Sequence, residues 1–166
     1  LFRVERRALS KVAGVITTSA HTAQRLKDYS VPATAIRVVE PGADTIAGIG
    51  AETQPSRAHG RTIHLLCVAH LSPRKAQHHL VDALSDLRDY SWHCTLAGSL
   101  GRDEHYAREL RGIIANLGLE HRISLAGELD DTELASAYRN ADVFVLPSVY
   151  EGYGMVIDEA MVAGMP

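Results

Sequence analysis

The sequence predicts an α/β protein built on a doubly wound parallel sheet, and three observations lead to this prediction. From Thr62 onward, short apolar runs alternate with amphipathic helical patterns, which is typical of repeated βαβ units. Residues 65–69 and 143–146 are continuously apolar, as expected for strands buried on both faces. The composition, 46% apolar and 22% charged over 166 residues, suits one ordinary globular domain with a real core.

The predicted strands and helices follow one another in regular order. Strands are expected at residues 63–69, 92–97, 122–126 and 143–146. Three helix faces are marked by apolar residues at helical spacing: Leu80, Val81, Leu84 and Leu87; Tyr106, Leu110, Ile113, Ile114 and Leu117; and Leu134, Ala137, Tyr138 and Ala141. Gly118 should end the second helix in a left-handed cap, and Asp130 or Asp131 should cap the third, with Glu133 in its first turn. A fourth helix is expected from about 155 to 163.

The first 45 residues form a separate block. Residues 14–18 and 36–39 are typical of strands, and Ser19 should cap a helix that runs through Tyr29. Residues 43–60 are rich in Gly, Ala, Thr, Pro and Ser without a sustained period, as in an interdomain connection. We therefore expect the end of one lobe at 1–45, a linker at 46–60 and a second domain at 61–166. Because the chain begins at Leu1 and stops at Pro166 just after a helix, we expect both ends to be cuts through a longer protein, with the second domain truncated at its C-terminal end.

Charge and composition exclude several classes of function. A net charge of −3 and a pI near 6.3 leave no general basic field, so nucleic acid is not an expected partner. No apolar stretch approaches the roughly 20 residues that a transmembrane helix needs. Cys67 and Cys94 lie inside apolar strands, where thiols are usually buried and unreactive, which favours a reducing, cytoplasmic location.

The sharpest local signal runs from Pro147 to Glu159, where a buried strand joins a helix through a turn that contains two glycines. Gly152 and Gly154 permit close backbone approach and unusual φ, and the free N–H groups of the next helical turn can bind phosphate. Glu151 and Glu159 can both reach the crevice beyond the strand ends, where carboxylates bind vicinal hydroxyls. By spacing alone, a plain tight turn with helix-stabilising glutamates explains the segment equally well.

This segment resembles the Glu-x7-Glu motif of retaining glycosyltransferases of family 4, counted here from Glu151 to Glu159. A second segment, residues 68–76, resembles the family's Gly-Arg-Leu-x-x-x-Lys-Gly loop: Lys75 matches, whereas His70 replaces the arginine, and Ala69 and Ala76 replace the glycines. The segment 95–99, which contains Gly98, resembles the family's strand-end glycine near the donor, and the segment 124–129, which contains Gly127, resembles the loop that faces the base. Residues 14–19 and 38–44 are similar to the end of the family's N-terminal lobe.

The resemblance implies the Rossmann-like C-terminal half of a two-lobed GT-B fold, with a remnant of the N-terminal lobe. It also implies transfer of a sugar from a nucleoside diphosphate sugar to an acceptor hydroxyl, with retention at the anomeric carbon. Lys75, His70 and Arg74 would hold the diphosphate, although an imidazole, which ionises near pH 6.5, is a weaker phosphate partner than an arginine. Gly152, Tyr153, Gly154 and Met155 would contact phosphate and sugar through their backbones. Glu159 would hold the ribose, and Glu151 would act catalytically on the transferred sugar.

The resemblance implies no metal and no cofactor besides the donor substrate. His64, Cys67, His70 and the pair His78 and His79 lack the spacing of metal ligands. The acceptor, whether a sugar, a lipid-linked sugar or a small molecule, stays open, as does peripheral membrane contact. Two alternatives also stay open: a related GT-B phosphorylase or epimerase, and a non-catalytic or truncated nucleotide-sugar-binding module. We expect these 166 residues alone to be inactive as a transferase.

Overall fold

The computed structural model describes residues 2–42 and 61–166, and the chain divides into two compact units. The first unit contains Leu1–Ala43 and Glu151–Met155, and the second contains Asp44–Tyr150 and Val156–Pro166. The linker expected at 46–60 lies outside the described residues, so the domain boundaries at 1–45 and 61–166 stay predictions.

The first unit contains a short parallel pair of strands. β1 (Val15–Thr17) pairs with β2 (Ile36–Val38), and Val15 lies opposite Ile36. The helices of this unit are α1 (Phe2–Leu9) and α2 (Ala20–Leu26), followed by 3-10 turns at Lys27–Tyr29 and Ala33–Ala35. The Ser19 side chain accepts a hydrogen bond from the Thr22 N–H at 3.1 Å, as predicted for the helix cap. The α-helix ends earlier than expected, because the 3-10 turn takes its last three residues.

The second unit is a four-stranded parallel sheet with helices between its strands. Its elements are β3 (Ile63–Val68), α3 (Gln77–Ser85), β4 (Trp92–Ala97), α4 (Glu104–Asn116), β5 (Ile123–Gly127), α5 (Asp131–Asn140), β6 (Val143–Phe144) and α6 (Met155–Val162), of which the first residue, Met155, groups with the first unit. The strand order is β5-β4-β3-β6, so the chain runs outward from β3 to β5 and then crosses to the other side of β3. This reversal creates the switch point at which open α/β sheets bind ligands.

Helices cover both faces of the sheet, which confirms the doubly wound fold. On one face, Cys67, Cys94 and Leu96 pack with residues of α3 and α4. On the other face, Leu66 and Ala97 pack with residues of α5 and α6. Neighbouring residues of one strand alternate between the two clusters because successive side chains of a strand point to opposite faces.

Local sequence signals set several element ends. Asp130 begins α5 with a capping box: its carboxylate accepts from the Glu133 N–H at 2.8 Å, and the Glu133 carboxylate accepts from the Asp130 N–H at 3.0 Å. Gly118 follows α4 with φ of 65°, the left-handed conformation predicted for it.

Two expectations about the helical and strand segments are wrong. Leu87 lies beyond the end of α3 and is 42% exposed, and its carbonyl oxygen accepts the Trp92 indole N–H at 2.8 Å. The strand expected at 143–146 is only Val143–Phe144, and both side chains are half-buried. This strand pairs with β3 alone among the described residues, so it lacks the cover that a central strand receives.

A buried carboxylate ties the beginning of β3 to the residue before β6. Asp142 is 2% exposed, and its carboxylate accepts the His64 N–H at 2.9 Å and forms an ion pair with Arg61. The Asp142 N–H in turn donates to the His64 carbonyl at 2.7 Å. A buried charge is costly unless it is paired and hydrogen-bonded, and both conditions are met here. Asp142 therefore helps to fix the register of β6 against β3.

Both cysteines are free and buried, as the sequence predicts. Burial raises the pKa of the Cys67 thiol to about 12, an effect that the Lys75 ammonium partly opposes. Burial also raises the pKa of Cys94, and the neighbouring Cys67 adds to the shift. Both thiols therefore stay protonated through the neutral range.

We expect the stability of the second unit to fall in alkali. Above pH 9.0, the ordinary thiol value, Cys67 ionises in the unfolded chain but not in the folded one until about pH 12, so the free energy of unfolding decreases as pH rises. The slope is at most about 1.4 kcal/mol per pH unit for each thiol. Urea unfolding between pH 7 and 11, followed by fluorescence of the buried and only tryptophan, Trp92, measures it. Cys67→Ala should give a shallower slope, and an unchanged slope would contradict the assignment.

Candidate functional site

The loops that follow β3, β4 and β5 are joined by backbone hydrogen bonds. The Ala69 N–H donates to the Ala97 carbonyl at 2.9 Å, and the Leu71 N–H donates to the Ser99 carbonyl at 3.1 Å. The Gly98 N–H donates to the Gly127 carbonyl at 2.7 Å. Parallel pairing thus continues past the ends of the strands and holds the three loops together.

Gly98 is required by a close approach of two backbones. Its φ is 143°, and a Cβ at this position would lie 2.2 Å from the Ala69 carbonyl oxygen and 2.8 Å from the His70 nitrogen. Both atoms belong to the backbone, so no side-chain rotation can relieve the clash. The sequence predicts Gly98 as a donor-binding residue, and the structure gives it a packing role in the wall of a cleft.

A cleft of about 300 Å³ lies at the carboxyl ends of these strands, within the second unit. Its walls include three residues that the sequence predicts for donor binding, namely His70, Lys75 and Gly98, together with Glu128 and the apolar Val68, Leu129, Leu134 and Val156. Lys75 is only 8% exposed, although lysine is among the residues most rarely buried. The cleft therefore combines an apolar wall with a lysine and a carboxylate.

Two backbone hydrogen bonds to one carbonyl hold the turn that carries Lys75. The N–H groups of Lys75 and Ala76 both donate to the Ser72 carbonyl, at 3.0 and 3.2 Å. Ala76 is fully buried and adopts φ of 53° and ψ of 35°, the left-handed region that favours glycine. The loop thus has a backbone conformation that suits glycine although an alanine stands there.

Gln77 supports the same turn from the protein interior. It is fully buried, and its side-chain amide donates to the His70 carbonyl at 3.1 Å and to the Ala69 carbonyl at 3.4 Å. Sequence reasoning missed Gln77, because a glutamine at the start of a helix is usually solvated.

Glu159 lies in α6, where Tyr138 of α5 holds its carboxylate. The Tyr138 hydroxyl donates to Glu159 Oε2 at 2.8 Å. Burial raises the pKa of Tyr138, and the hydrogen bond to Glu159 raises it further. Glu159 does not line the cleft, but Val156, which precedes it by one helical turn, does.

Arg74 joins the loops that follow β3 and β6. Its guanidinium donates to the Tyr150 carbonyl at 2.6 Å, and its own carbonyl accepts the Val149 N–H at 2.9 Å. The sequence predicts Arg74 as a partner of the diphosphate, but in the structure it does not line the cleft.

Residues 151–155 group with the first unit, and the Gly152 carbonyl accepts the Thr22 hydroxyl at 3.4 Å. Glu151 and Tyr153 are half-buried, and Met155, the first residue of α6, is 56% exposed. Gly154 has the unusual φ that a glycine permits, 88°, whereas φ at Gly152 is not positive. A Cβ at Gly152 would meet no atom within 4 Å. Of the two glycines in this turn, Gly154 is thus the one that uses the conformational freedom of glycine.

Gly127 and its neighbour contribute differently to the site. Gly127 ends β5 with φ of 77° and offers its carbonyl to Gly98, but it does not line the cleft. Glu128, which directly follows the strand, does line it. Residues just after a strand end are those expected to face the ligand crevice of such a sheet.

Within residues 2–42 and 61–166, no three His, Cys, Asp or Glu side chains are grouped so that they could hold a metal ion. Nor does this part of the chain contain a helix of the length and apolarity that crossing a membrane requires.

The fold is that of about half of a GT-B glycosyltransferase. The Anabaena protein HepE in complex with UDP-glucose is 25% identical, with a TM-score of 0.83 over 99% of this chain and 47% of that one. Sucrose-phosphate synthase from Thermosynechococcus elongatus is 26% identical, with a TM-score of 0.81 over 99% and 42% of the two chains. Residues 51–166 match the family described as glycosyl transferases group 1, and the chain belongs to that family.

Curated relatives extend the similarity into the first unit. D-inositol 3-phosphate glycosyltransferase of Pseudarthrobacter chlorophenolicus is 30% identical over 160 residues, which are 92% of this chain and 38% of the relative. Mannosylfructose-phosphate synthase of Agrobacterium fabrum is 27% identical over 163 residues, covering 92% of this chain and 36% of the relative. The chain thus spans well under half the length of these relatives.

We expect Gly98→Ala to lower the free energy of unfolding by about 2–5 kcal/mol, because the new methyl group would collide with fixed backbone and φ would be strained. Gly118→Ala is the matched control: its φ of 65° is also positive, but a Cβ there would meet nothing within 4 Å. That variant should lose only about 1–2 kcal/mol. Urea unfolding followed by Trp92 fluorescence compares the two, and equal losses would argue against the close approach.

Proposed function

We propose that the protein is a retaining glycosyltransferase that moves a sugar from a nucleoside diphosphate sugar to an acceptor hydroxyl, and that this chain supplies mainly the donor-binding part. The observation that carries the proposal is the buried Lys75 in a cleft at the carboxyl ends of the parallel strands. Membership of the glycosyl transferases group 1 family supports it, as does the likeness to a protein solved with UDP-glucose.

Lys75 and His70 would bind the diphosphate. Departure of this group leaves negative charge on its phosphate oxygens, and a cation fixed in a partly apolar cleft stabilises that charge more than one in water does. The Ser72 carbonyl and the Gln77 amide fix the turn around both residues before a ligand arrives. Arg74 stays a candidate for the same role, although one of its N–H groups is engaged by Tyr150.

The two glutamates of the motif would act on different parts of the donor. Glu159 would accept hydrogen bonds from the ribose hydroxyls, because it follows Val156 of the cleft wall by one turn of α6. Glu151 would orient the transferred sugar and stabilise positive character at the anomeric carbon. The backbone of residues 152–155 would contact phosphate and sugar at the start of α6.

Loss of the Lys75 charge should weaken nucleotide binding. We expect Lys75→Met to raise the Kd for a nucleoside diphosphate about tenfold to a hundredfold, the loss typical of a hydrogen bond to a charged group. Isothermal titration with UDP, ADP and GDP identifies the preferred nucleotide and measures the change. Lys27→Met removes an exposed lysine of the first unit and serves as the control. Equal affinity of wild type and Lys75→Met would contradict the role of Lys75.

The two glutamates should separate binding from turnover. Glu159→Ala should weaken binding of the preferred nucleoside diphosphate about tenfold, whereas Glu151→Ala should change it little, because the nucleotide alone lacks the transferred sugar. In the intact enzyme, Glu151→Ala should lower kcat while KM for the donor changes little. Unchanged nucleotide affinity in Glu159→Ala would rule out the ribose assignment.

A further inference from the structure

Tyr138 does not line the cleft, but its hydroxyl contacts two residues of α6, Val156 and Glu159. It has no exposed surface, and its hydroxyl lies 2.8 Å from Glu159 Oε2 and 3.4 Å from the Val156 carbonyl oxygen. A phenol has one proton to donate, and it goes to the nearer and negatively charged acceptor. Since the pKa of Tyr138 is raised, the hydroxyl remains a donor across the physiological range.

The core of the second unit fixes where that hydroxyl lies. The Tyr138 ring stacks on Phe144 of β6, with ring centroids 6.1 Å apart and planes 29° from parallel. It also belongs to the cluster that contains Leu66 and Ala97 of the sheet and Ala160 of α6. Because these neighbours are close-packed, the ring has little freedom to move.

A glutamate side chain without such a partner samples several rotamers. Here one carboxylate oxygen, Oε2, is held by Tyr138, and in the described part of the chain no other hydrogen bond or ion pair involves this carboxylate. The Tyr138 contact is therefore the described interaction that restricts the orientation of this carboxylate. A carboxylate whose orientation is fixed before binding loses less side-chain entropy when a ligand arrives.

We propose that Tyr138 is a positioning residue for donor recognition: it holds Glu159 Oε2 so that Oε1 is presented to the ribose hydroxyls, and it thereby sets the preference for ribonucleotides over deoxyribonucleotides. This inference rests on the proposed function, because it assumes that Glu159 binds ribose. It goes further by assigning Tyr138 an indirect effect on binding, through the side chain of Glu159.

The test compares UDP with 2′-deoxy-UDP, or the matching pair for the preferred base, on the full chain by isothermal titration. Tyr138→Phe keeps the ring and removes only the hydroxyl. We expect it to reduce the ratio of the two affinities about fivefold to tenfold, through weaker binding of the ribonucleotide while the deoxynucleotide is little affected.

Tyr106→Phe is the matched control. Tyr106 is also a buried tyrosine of the second unit, and its hydroxyl is bonded to His78 at 2.9 Å on the opposite face of the sheet. Its removal should cost stability but leave the ratio unchanged. Glu159→Asp is a second variant that shortens the acid and breaks the contact while Tyr138 stays intact, and it should lower the ratio as Tyr138→Phe does.

A double-mutant cycle separates failure of this inference from failure of the proposed function. In a Glu159→Ala background, Tyr138→Phe should have no further effect on the ratio. If Glu159→Ala abolishes the preference but folded Tyr138→Phe and Glu159→Asp keep it, the positioning role is wrong and the ribose assignment stands. If the wild-type chain binds none of the nucleoside diphosphates, the proposed function is overturned together with this inference.

Discussion

The close approach of the backbone at Gly98 to that at Ala69 and His70 is the constraint on which the candidate site depends. It brings the ends of β3 and β4 together with no side chain between them, and the Gly98 N–H then reaches Gly127 at the end of β5. The position of His70 is thus determined by main-chain packing. Because this part of the cleft wall is backbone, its shape does not depend on the surrounding side chains.

Much of the fold could be predicted because apolar periodicity reflects burial directly. The strand expected at 92–97 coincides with β4. Asp130 caps α5 through its carboxylate, and Gly118 follows α4 in the left-handed conformation, both as predicted. The failures lie where tertiary surroundings decide. Leu87 continues the helical spacing, but the helix has ended and its carbonyl serves the Trp92 indole. Residues 145 and 146 are apolar but lie beyond the short strand β6.

Candidate site residues could be proposed from the sequence only where they lie within one local motif. Lys75 and Glu159 follow from short segments, but the residues that orient them do not. The Tyr138 spacing correctly indicates a core position, yet its hydroxyl partner is 21 residues away in another helix. Gln77 resembles a surface residue until its amide is seen between two carbonyls. Such contacts depend on how α3, α5 and α6 pack on the sheet, which local patterns do not specify.

The alanine at the left-handed turn also affects how the lysine beside it meets a ligand. A glycine at position 76 could adopt many backbone conformations, of which the observed one would be a single member. Ala76 has fewer alternatives, and its burial together with the Ser72 contacts selects the one seen. Because this turn is already ordered, a ligand that bound beside Lys75 would cost little main-chain entropy.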